Sequence, residues 1–284
     1  MKSLYELYRA HTGFVSDKWE SYIRCYDTLL SPFRQDPIGL LEVGIQNGGS
    51  LEIWSQYFPN AVSLIGCDIN PDCAKLSYTD ARVKIVVGDA NGDKARAEIL
   101  AARPEFDIII DYGSHKSSDI VKTFALYFPK LKNGGLFIAE DLHCSYWRQF
   151  EGGLFDQLSS ISFFKRLVDI INFEHWGIAG DRASILQEFG SKYGVTLSDE
   201  LLSRVHSVEF QNSMCIIRKR PPAENLLGPR TIAGVTELVV QGHLPLFGSA
   251  ARAIPQDAAS APRDPIAIER QLRQVEAELR ALRK

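Results

Sequence analysis

Residues 41–50 read Leu-Glu-Val-Gly-Ile-Gln-Asn-Gly-Gly-Ser and join an apolar, strand-like run to a helix-like stretch. Glycines directly after a strand allow a tight turn and a close approach of the backbone to a ligand. Their spacing, G-x-x-x-G-G, differs from the G-x-G-x-x-G of dinucleotide-binding turns. Glu42 precedes the first glycine by two positions, where it favours a cationic ligand over a diphosphate. We therefore predict that Glu42, Gly44 and Gly48 bind a cofactor, with a purely structural turn as the alternative.

Short apolar runs alternate with helix-like stretches on the C-terminal side of this turn. We expect helices at residues 50–58, 71–76, 93–102 and 116–128. The runs are rich in Ile and Val and hardly alternate with polar residues, which is typical of strands buried on both faces. These expected strands are residues 38–43, 62–65, 83–87, 106–110 and 136–139. Two further runs, 205–210 and 214–218, are separated by three residues and predict an antiparallel hairpin. The predicted fold class is α/β: a Rossmann-like, mostly parallel seven-stranded sheet with an antiparallel C-terminal hairpin and helices on both faces.

Composition divides the chain into four regions. Residues 1–37 suit two short helices, and residues 38–220 contain the predicted sheet domain. Residues 221–265 hold seven of the 13 prolines and predict a linker. Residues 266–284 predict a short helix with heptad spacing, which pairs with a second copy, packs on the body, or is an ordinary surface helix. Its apolar positions are Ile268, Leu272, Val275, Leu279 and Leu282.

The overall composition excludes several classes of protein. The chain has 284 residues, 45% of them hydrophobic, and a formal net charge of −3, so no basic field favours nucleic acid. It contains no run of about 18 apolar residues, and we expect no membrane span. The first ten residues lack the apolar core of a signal peptide. Five cysteines without a C-x-x-C pair indicate neither a zinc site nor a disulfide framework, so we expect a reduced, cytoplasmic protein.

Two acidic residues follow the second and third expected strands. Asp68 comes 24 residues after Gly44, at the position where an acid accepts hydrogen bonds from ribose hydroxyls, and Asp89 follows the next strand. Each alone is also compatible with a helix cap or a turn. Together with Glu42 they predict an adenosine-containing ligand that carries positive charge, and S-adenosylmethionine fits this description.

Polar, titratable side chains also follow the fourth and fifth strands. Asp111 and His115 come after one strand, and Glu140 and Asp141 after the other. Methyl transfer to an alcohol needs a base for the hydroxyl proton, and His115 is the best candidate. Asp111 joins it as a candidate catalytic residue, and Asp111 and Asp141 are candidate metal ligands that would position a diol. The alternatives are helix capping for His115, and capping or orientation of His115 for the acids.

Four segments resemble the class I S-adenosylmethionine-dependent methyltransferases: Leu-Glu-Val-Gly-Ile-Gln-Asn-Gly-Gly-Ser-Leu, Cys-Asp-Ile-Asn-Pro, Asp-Tyr-Gly-Ser-His and Glu-Asp-Leu-His-Cys-Ser-Tyr-Trp. Among them the chain is most similar, over roughly residues 10–220, to the macrocin and mycinamicin sugar O-methyltransferase group. The resemblance implies a magnesium-dependent reaction with His115 as general base. The paired aspartates of that group fall on Asp111 and Tyr112, so the second acid, an expected metal ligand, is absent. Residues 12–18 resemble the group's Gly-Thr-Asp-Lys segment in front of the cofactor site.

The function expected from these residues is S-adenosylmethionine-dependent O-methylation of a hydroxyl on a sugar or glycan. The aromatic residues Tyr146, Trp147, Phe150 and Phe155 either stack on a sugar or pack in the core. The heptad helix suggests a homo-oligomer or a complex that modifies a polysaccharide. The alternatives are a hydroxylase or a non-sugar methyltransferase on the same scaffold, and a non-catalytic cofactor-binding module that acts through the tail.

Overall fold

The computed structural model describes residues 1–256 and 265–282, and its centre is a seven-stranded sheet. The strands are β1 (Gly39–Val43), β2 (Ser63–Asp68), β3 (Val83–Val87), β4 (Phe106–Asp111), β5 (Leu131–Ala139), β6 (Val205–Gln211) and β7 (Met214–Lys219). They lie in the order β3-β2-β1-β4-β5-β7-β6. Strands β1 to β5 pair in parallel, and β7 runs antiparallel to both β5 and β6. The predicted fold class, including the C-terminal hairpin, is confirmed.

Helices pack on both faces of this sheet. The α-helices are α1 (Leu4–Ala10), α2 (Glu20–Leu30), α3 (Gly49–Tyr57), α4 (Asp93–Ala102), α5 (Ser117–Tyr127), α6 (Ser160–Ile171), α7 (Gln187–Tyr193), α8 (Asp199–Leu202) and α9 (Pro265–Leu282). Successive strand residues point to opposite faces, so Leu40 packs in the layer of α1 to α3 and Leu41 in the layer of α4 to α7. All five residues of β1 are buried, as expected for a central parallel strand.

Two predicted elements differ from the structure. Residues 71–76, which we expected to form a helix, form a short 3-10 turn at Pro71–Lys75, in which the Asn70 side chain accepts the Asp72 amide. Strand β5 begins at Leu131 rather than at residue 136. Its first half is polar and glycine-containing, so it lacks the apolar run by which a buried strand is recognised.

The N-terminal segment covers the carboxyl end of the sheet. Leu4, Tyr22 and Tyr26 are buried in the same cluster as β1 and α3. Helix α2 has a narrow buried face that includes Ile23 and Leu30 at helical spacing. Residues 1–37 therefore pack directly on the sheet domain and bring polar side chains of α2 to the strand ends.

The C-terminal part of the chain is mostly exposed where the structure describes it. Residues 221–256 contain only short 3-10 turns and an isolated bridge, and residues 257–264 of the predicted linker lie outside the described residues, as do 283–284 of the predicted heptad helix. Helix α9 confirms a helix after the linker. The boundaries of the four predicted regions stay predictions.

In the described ranges, no helix is both long enough and apolar enough to cross a bilayer. The cytoplasmic location expected from the sequence stays a prediction.

Candidate active site

The turn after β1 is held by an aspartate from β2. Asp68 Oδ2 accepts the backbone amides of Ile45 at 2.9 Å and Gln46 at 2.8 Å. Gly44 has φ +83°, and a Cβ there would lie 2.1 Å from the backbone oxygen of Tyr112. Only glycine fits both this left-handed backbone and this close approach. The turn is thus fixed by charge-assisted hydrogen bonds on one side and by strand β4 on the other.

A cavity of about 280 Å³ opens beside this turn, outside the carboxyl ends of β1, β2, β3 and β4. Gly44, Asp68 and Asp89, three of the predicted cofactor-binding residues, line it, and so does Asp111. In open α/β sheets, ligands bind at this edge. No Lys or Arg is among the described residues that line the cavity, whereas four aspartates are. Its charge therefore suits a cation and opposes a diphosphate.

Two predicted cofactor-binding residues lie elsewhere. Gly48 begins α3 with φ +78°, and a Cβ there would lie 2.1 Å from the Tyr78 hydroxyl, so this glycine makes room for Tyr78 outside the cavity. Glu42 is fully buried and accepts hydrogen bonds from Ser50 Oγ at 2.7 Å and Trp54 Nε1 at 3.2 Å. It borders a small crevice that adjoins the cavity at Gly44.

Lys18 contacts one glutamate at the end of β1 and one directly after β5, Glu42 and Glu140. Its Nζ lies 3.2 Å from Glu42 Oε1 and donates to both oxygens of Glu140, at 2.9 and 2.7 Å. Tyr26 donates a short hydrogen bond to Glu140. The Lys18 ammonium also lies 4.0 Å from the centre of the Tyr112 ring, a cation–π contact. Although burial opposes the charged form, Glu140 and Glu42 raise the pKa of Lys18 above its usual value, so the ammonium stays charged.

His115 and Asp141 form a pair beside Tyr112. His115 Nε2 lies 3.7 Å from Asp141 Oδ2, and His115 Nδ1 is buried without a partner among the described residues. Both residues have left-handed backbone angles, φ +60° and +54°, which are rare outside glycine and cluster at functional sites. Burial lowers the pKa of His115, and the Asp141 carboxylate partly opposes this shift. The imidazole is therefore neutral at pH 7 and available as a base.

Asp141 is oriented by Tyr22 of α2 and by Trp19, the residue directly before that helix. Its Oδ1 accepts hydrogen bonds at 3.0 Å from both Trp19 Nε1 and the Tyr22 hydroxyl, and its backbone amide donates to the Tyr22 oxygen at 3.1 Å. A second histidine, His143, lies on the same carboxylate, with Nδ1 3.9 Å from Oδ1. Asp141 is thus held in place by tertiary contacts, with one oxygen directed at His115.

Asp111 belongs to the cavity rather than to this pair. It is buried, its Oδ1 accepts the Gly113 amide at 3.2 Å, and its Oδ2 has no hydrogen-bond partner among the described residues. Burial raises the pKa of Asp111 to about 7. The structure therefore places this predicted catalytic residue beside the predicted cofactor.

Aromatic rings surround the two histidines. The His115 ring lies 5.4 Å from that of Tyr112 and 6.3 Å from that of Phe150, and the His143 ring lies 5.1 Å from that of Trp147. Trp147 and Phe155 are exposed and therefore do not pack in the core. The aromatic stretch after β5 is available for contact with an acceptor.

The magnesium ion implied by the resemblance finds no matching set of donors. No group of three or more His, Cys, Asp or Glu side chains in the described part of the chain is arranged to hold a metal. Asp111 and Asp141, the predicted ligands, are directed at different partners, and Glu140 is already bound by Lys18 and Tyr26. An ion at Asp141 would therefore have to draw most of its octahedral oxygen ligands from water or substrate rather than from this chain.

Sequence reasoning missed the contribution of α2. Trp19, Tyr22 and Tyr26 contact residues more than 110 positions away, and no local pattern marks them. For Lys18 a signal existed, because it lies in the segment that resembles Gly-Thr-Asp-Lys. That segment carried no role until the structure placed Lys18 between two carboxylates.

Comparisons with known proteins identify relatives among sugar methyltransferases, although no model of a protein family matches the chain. The chain is 37% identical over 164 residues to 8-demethyl-8-alpha-L-rhamnosyl tetracenomycin-C 2'-O-methyltransferase of Streptomyces olivaceus, which covers 54% of this chain and 42% of that protein. It is 33% identical over 175 residues to demethylmacrocin O-methyltransferase of Streptomyces fradiae, covering 57% and 43%. It is 31% identical over 159 residues to mycinamicin VI 2''-O-methyltransferase of Micromonospora griseorubida, covering 52% and 39%. The chain thus spans less than half the length of the curated relatives it matches.

Solved structures agree with this at the level of the fold. MycE methyltransferase from the mycinamycin biosynthetic pathway, in complex with Mg and SAH, matches with a TM-score of 0.60 and 23% identity, over 78% of this chain and 56% of that one. A second crystal form matches with a TM-score of 0.61 over 86% and 58%. The chain therefore has the fold of the class I methyltransferases, and over 52–57% of its length it is similar in sequence to the tetracenomycin, macrocin and mycinamicin sugar O-methyltransferases.

Proposed function

We propose that the protein is an S-adenosylmethionine-dependent O-methyltransferase that methylates a hydroxyl of a sugar or glycan, with His115 as general base. The observation that carries this proposal is the arrangement around Tyr112. Tyr112 lines the acidic cavity, its ring lies 5.4 Å from the His115 ring, and His115 Nε2 lies 3.7 Å from Asp141 Oδ2. A methyl donor bound in the cavity and an alcohol bound beside His115 would meet at the same strand ends.

The cavity supports a nucleoside ligand with positive charge. Asp68 and Asp89 follow β2 and β3, where carboxylates accept hydrogen bonds from ribose hydroxyls. Asp68 already accepts backbone amides, and a carboxylate has about four lone-pair sites, so it retains capacity for a hydroxyl. Asp111 and the nearby Glu42 add negative potential beneath the turn. This charge suits the sulfonium and ammonium groups of S-adenosylmethionine.

The reaction requires alignment and removal of a proton. S-adenosylmethionine, when bound, supplies an electrophilic methyl group for an in-line displacement. His115 takes the proton of the acceptor hydroxyl, and because Nε2 faces the Asp141 carboxylate, that charge stabilises the imidazolium that forms. Trp19 and Tyr22 keep the carboxylate directed at the ring.

A sugar acceptor is favoured by two independent features. The name of the Streptomyces olivaceus relative states a rhamnosyl-bearing acceptor. Beside the histidines, the exposed Trp147 and the partly exposed Phe150 offer flat apolar faces on which a sugar ring stacks. A polysaccharide acceptor is a narrower form of this proposal, and an assay with oligosaccharides of increasing length tests it.

The first experiment is a calorimetric titration of the full chain with S-adenosylmethionine and S-adenosylhomocysteine. We expect saturable binding of both, and NADH serves as the control that should not bind because the cavity is acidic. Isotope transfer from methyl-labelled S-adenosylmethionine to rhamnosylated acceptors then tests the activity. Absence of binding would overturn the proposal. Binding without transfer to any hydroxyl would favour a non-catalytic module, and an oxygen- and iron-dependent product would favour a hydroxylase.

We also propose that α9 pairs with α9 of a second copy of the chain. Ile268, Leu272, Val275 and Leu279 follow heptad spacing and are 45–58% exposed, while Ile266 is buried against the body. A Glu269–Arg273 ion pair flanks this apolar face, as in coiled coils. Light scattering should report a dimer for the wild type and a monomer for Leu272→Glu, with Ala277→Glu as the control. A monomeric wild type would refute the pairing.

A further inference from the structure

We propose that the acceptor side of this site, around His115 and Asp141, holds no divalent cation. The fixed positive charge there is the Lys18 ammonium, which pairs with the buried carboxylate of Glu140. The chemical role of this arrangement rests on the proposed methyl transfer. The absence of a metal site depends on geometry alone, so it can be wrong while the proposed methyl transfer is right, and the reverse.

Glu140, directly after β5, is already paired with protein groups. Both of its oxygens accept hydrogen bonds from Lys18, and Tyr26 donates to Oε1 as well. The Lys18 and Glu140 side chains are 1% and 0% exposed. A cation at Glu140 would compete with the Lys18 ammonium and the Tyr26 hydroxyl for these oxygens. Displacing the ammonium would break a buried ion pair, a strongly unfavourable change.

Tyr112 stands where the resembled group has the second of its paired aspartates. Its ring faces the Lys18 ammonium, whose Nζ lies 4.0 Å from the ring centre. The same position therefore lacks a carboxylate and instead covers the internal cation with an aromatic face. The Tyr112 hydroxyl accepts a hydrogen bond from Gln46 Nε2 at 3.2 Å.

Asp141 is the remaining acid on the acceptor side, beside His115. Its Oδ1 is occupied by Trp19 and Tyr22, and its Oδ2 faces His115. Asp141 therefore offers an ion a single oxygen that also faces a histidine, and the rest of an octahedral shell would have to come from water or substrate. Glu140 and Asp141, which follow β5, are thus directed at protein partners. Asp111, at the end of β4, has an Oδ2 without a partner among the described residues, but it lines the cavity rather than the acceptor side.

These contacts make Lys18 a positioning residue. It lies between Glu42 of β1 and Glu140, below Tyr112, and does not reach the cavity or His115 directly. By pairing with both glutamates it offsets one of their two negative charges and lets the strand ends stay close together without a metal. The proton of the acceptor hydroxyl is then removed by His115 alone, without acidification by a cation.

The experiment is a titration of the metal-stripped full chain with Mn²⁺, in which electron paramagnetic resonance measures the free ion. The wild type should leave Mn²⁺ free up to about 1 mM, the weak end of natural divalent-cation sites. Lys18→Gln frees the glutamates and should acquire measurable Mn²⁺ binding, while the matched variant Lys94→Gln, on the exposed face of α4, should behave as wild type. If Lys18→Gln does not fold, the wild-type titration still decides.

A parallel measurement separates this inference from the proposed function. S-adenosylmethionine affinity and methyl transfer should change by less than about twofold when EDTA replaces Mg²⁺, because no metal-generated nucleophile is involved. Stoichiometric Mn²⁺ binding by the wild type, or activity lost in EDTA and restored by Mg²⁺, would overturn the inference and leave methyl transfer intact. Failure to bind S-adenosylmethionine would instead overturn the proposed function, with the Mn²⁺ result unaffected.

Discussion

The two halves of the site, which meet at Tyr112, are built from different kinds of contact. On the cofactor side, Asp68 holds the glycine turn through backbone amides of residues 22 and 23 positions away and of its near neighbour Asn70. On the acceptor side, Glu140 and Asp141 are held by side chains of residues 114 to 122 positions away. The first half is a property of the sheet and its turns. The second exists only when the N-terminal segment is docked.

This difference predicts that the two halves can be damaged separately. Substitutions on the cofactor side should change ligand affinity with little effect on folding. Substitutions among the N-terminal contacts should change folding stability and acceptor chemistry together, because the same side chains close the core and orient Asp141.

His115→Gln should affect only the acceptor half. Loss of a general base lowers the rate by about 10²–10⁴-fold, while S-adenosylmethionine affinity should stay unchanged because the His115 ring lies outside the cavity. Steady-state kinetics and calorimetry measure the two quantities. His175→Gln, a partly exposed histidine beside Glu174, is the control. A matching loss of cofactor affinity would mean that the halves are not separable.

Lys18→Met should destabilise the whole fold. It leaves Glu42 and Glu140 buried without a cation, and breaking a buried pair in this way costs about 3–5 kcal/mol. Urea denaturation followed by circular dichroism measures the free energy of unfolding. Lys94→Met, at an exposed position of α4, should stay within about 0.5 kcal/mol of wild type. Equal stability of both variants would refute the coupling between the N-terminal segment and the strand ends.

Asp68→Asn should weaken the cofactor half. The amide retains the shape of the side chain but loses its charge, and with it a charge-assisted hydrogen bond to the proposed ribose hydroxyl. Such a bond is worth about 1.5–3 kcal/mol, so cofactor affinity should fall about 10- to 100-fold. Asp72→Asn, an exposed residue paired with Lys75, is the matched control. Unchanged affinity for S-adenosylmethionine in Asp68→Asn would contradict the placement of the ligand beside this turn.

The pH dependence should be the smallest effect near neutrality. Burial lowers the pKa of His115 below 6.5, so the neutral base predominates above that pH and is lost as the pH falls through the lowered pKa. The value of kcat/KM should therefore be flat around pH 7 and decline only on the acid side of 6.5. This decline should vanish in His115→Gln. An acid limb centred above pH 7 would contradict a buried, neutral histidine.

Particular residues mark how far sequence reasoning reached into the site. Asp68, Asp89 and Gly44 line one cavity, as their positions after successive strands predicted. His115 and Asp141 lie together for the same reason. Glu42 was expected to attract a cationic ligand, and in the structure its nearest cation is Lys18. Gly48 was expected at the ligand, and it accommodates Tyr78 instead.

The order and type of the strands, the glycine turn and the strand ends at which polar groups gather could all be read from the sequence. These features follow from local patterns, because burial of a strand and the conformation of a turn are recorded in neighbouring residues. Only the folded chain shows that Lys18 pairs with both Glu42 and Glu140 and that Tyr22 of α2 orients Asp141. The contacts of Lys18 with Glu140 and of Tyr22 with Asp141 join residues more than a hundred positions apart, and no local pattern records them.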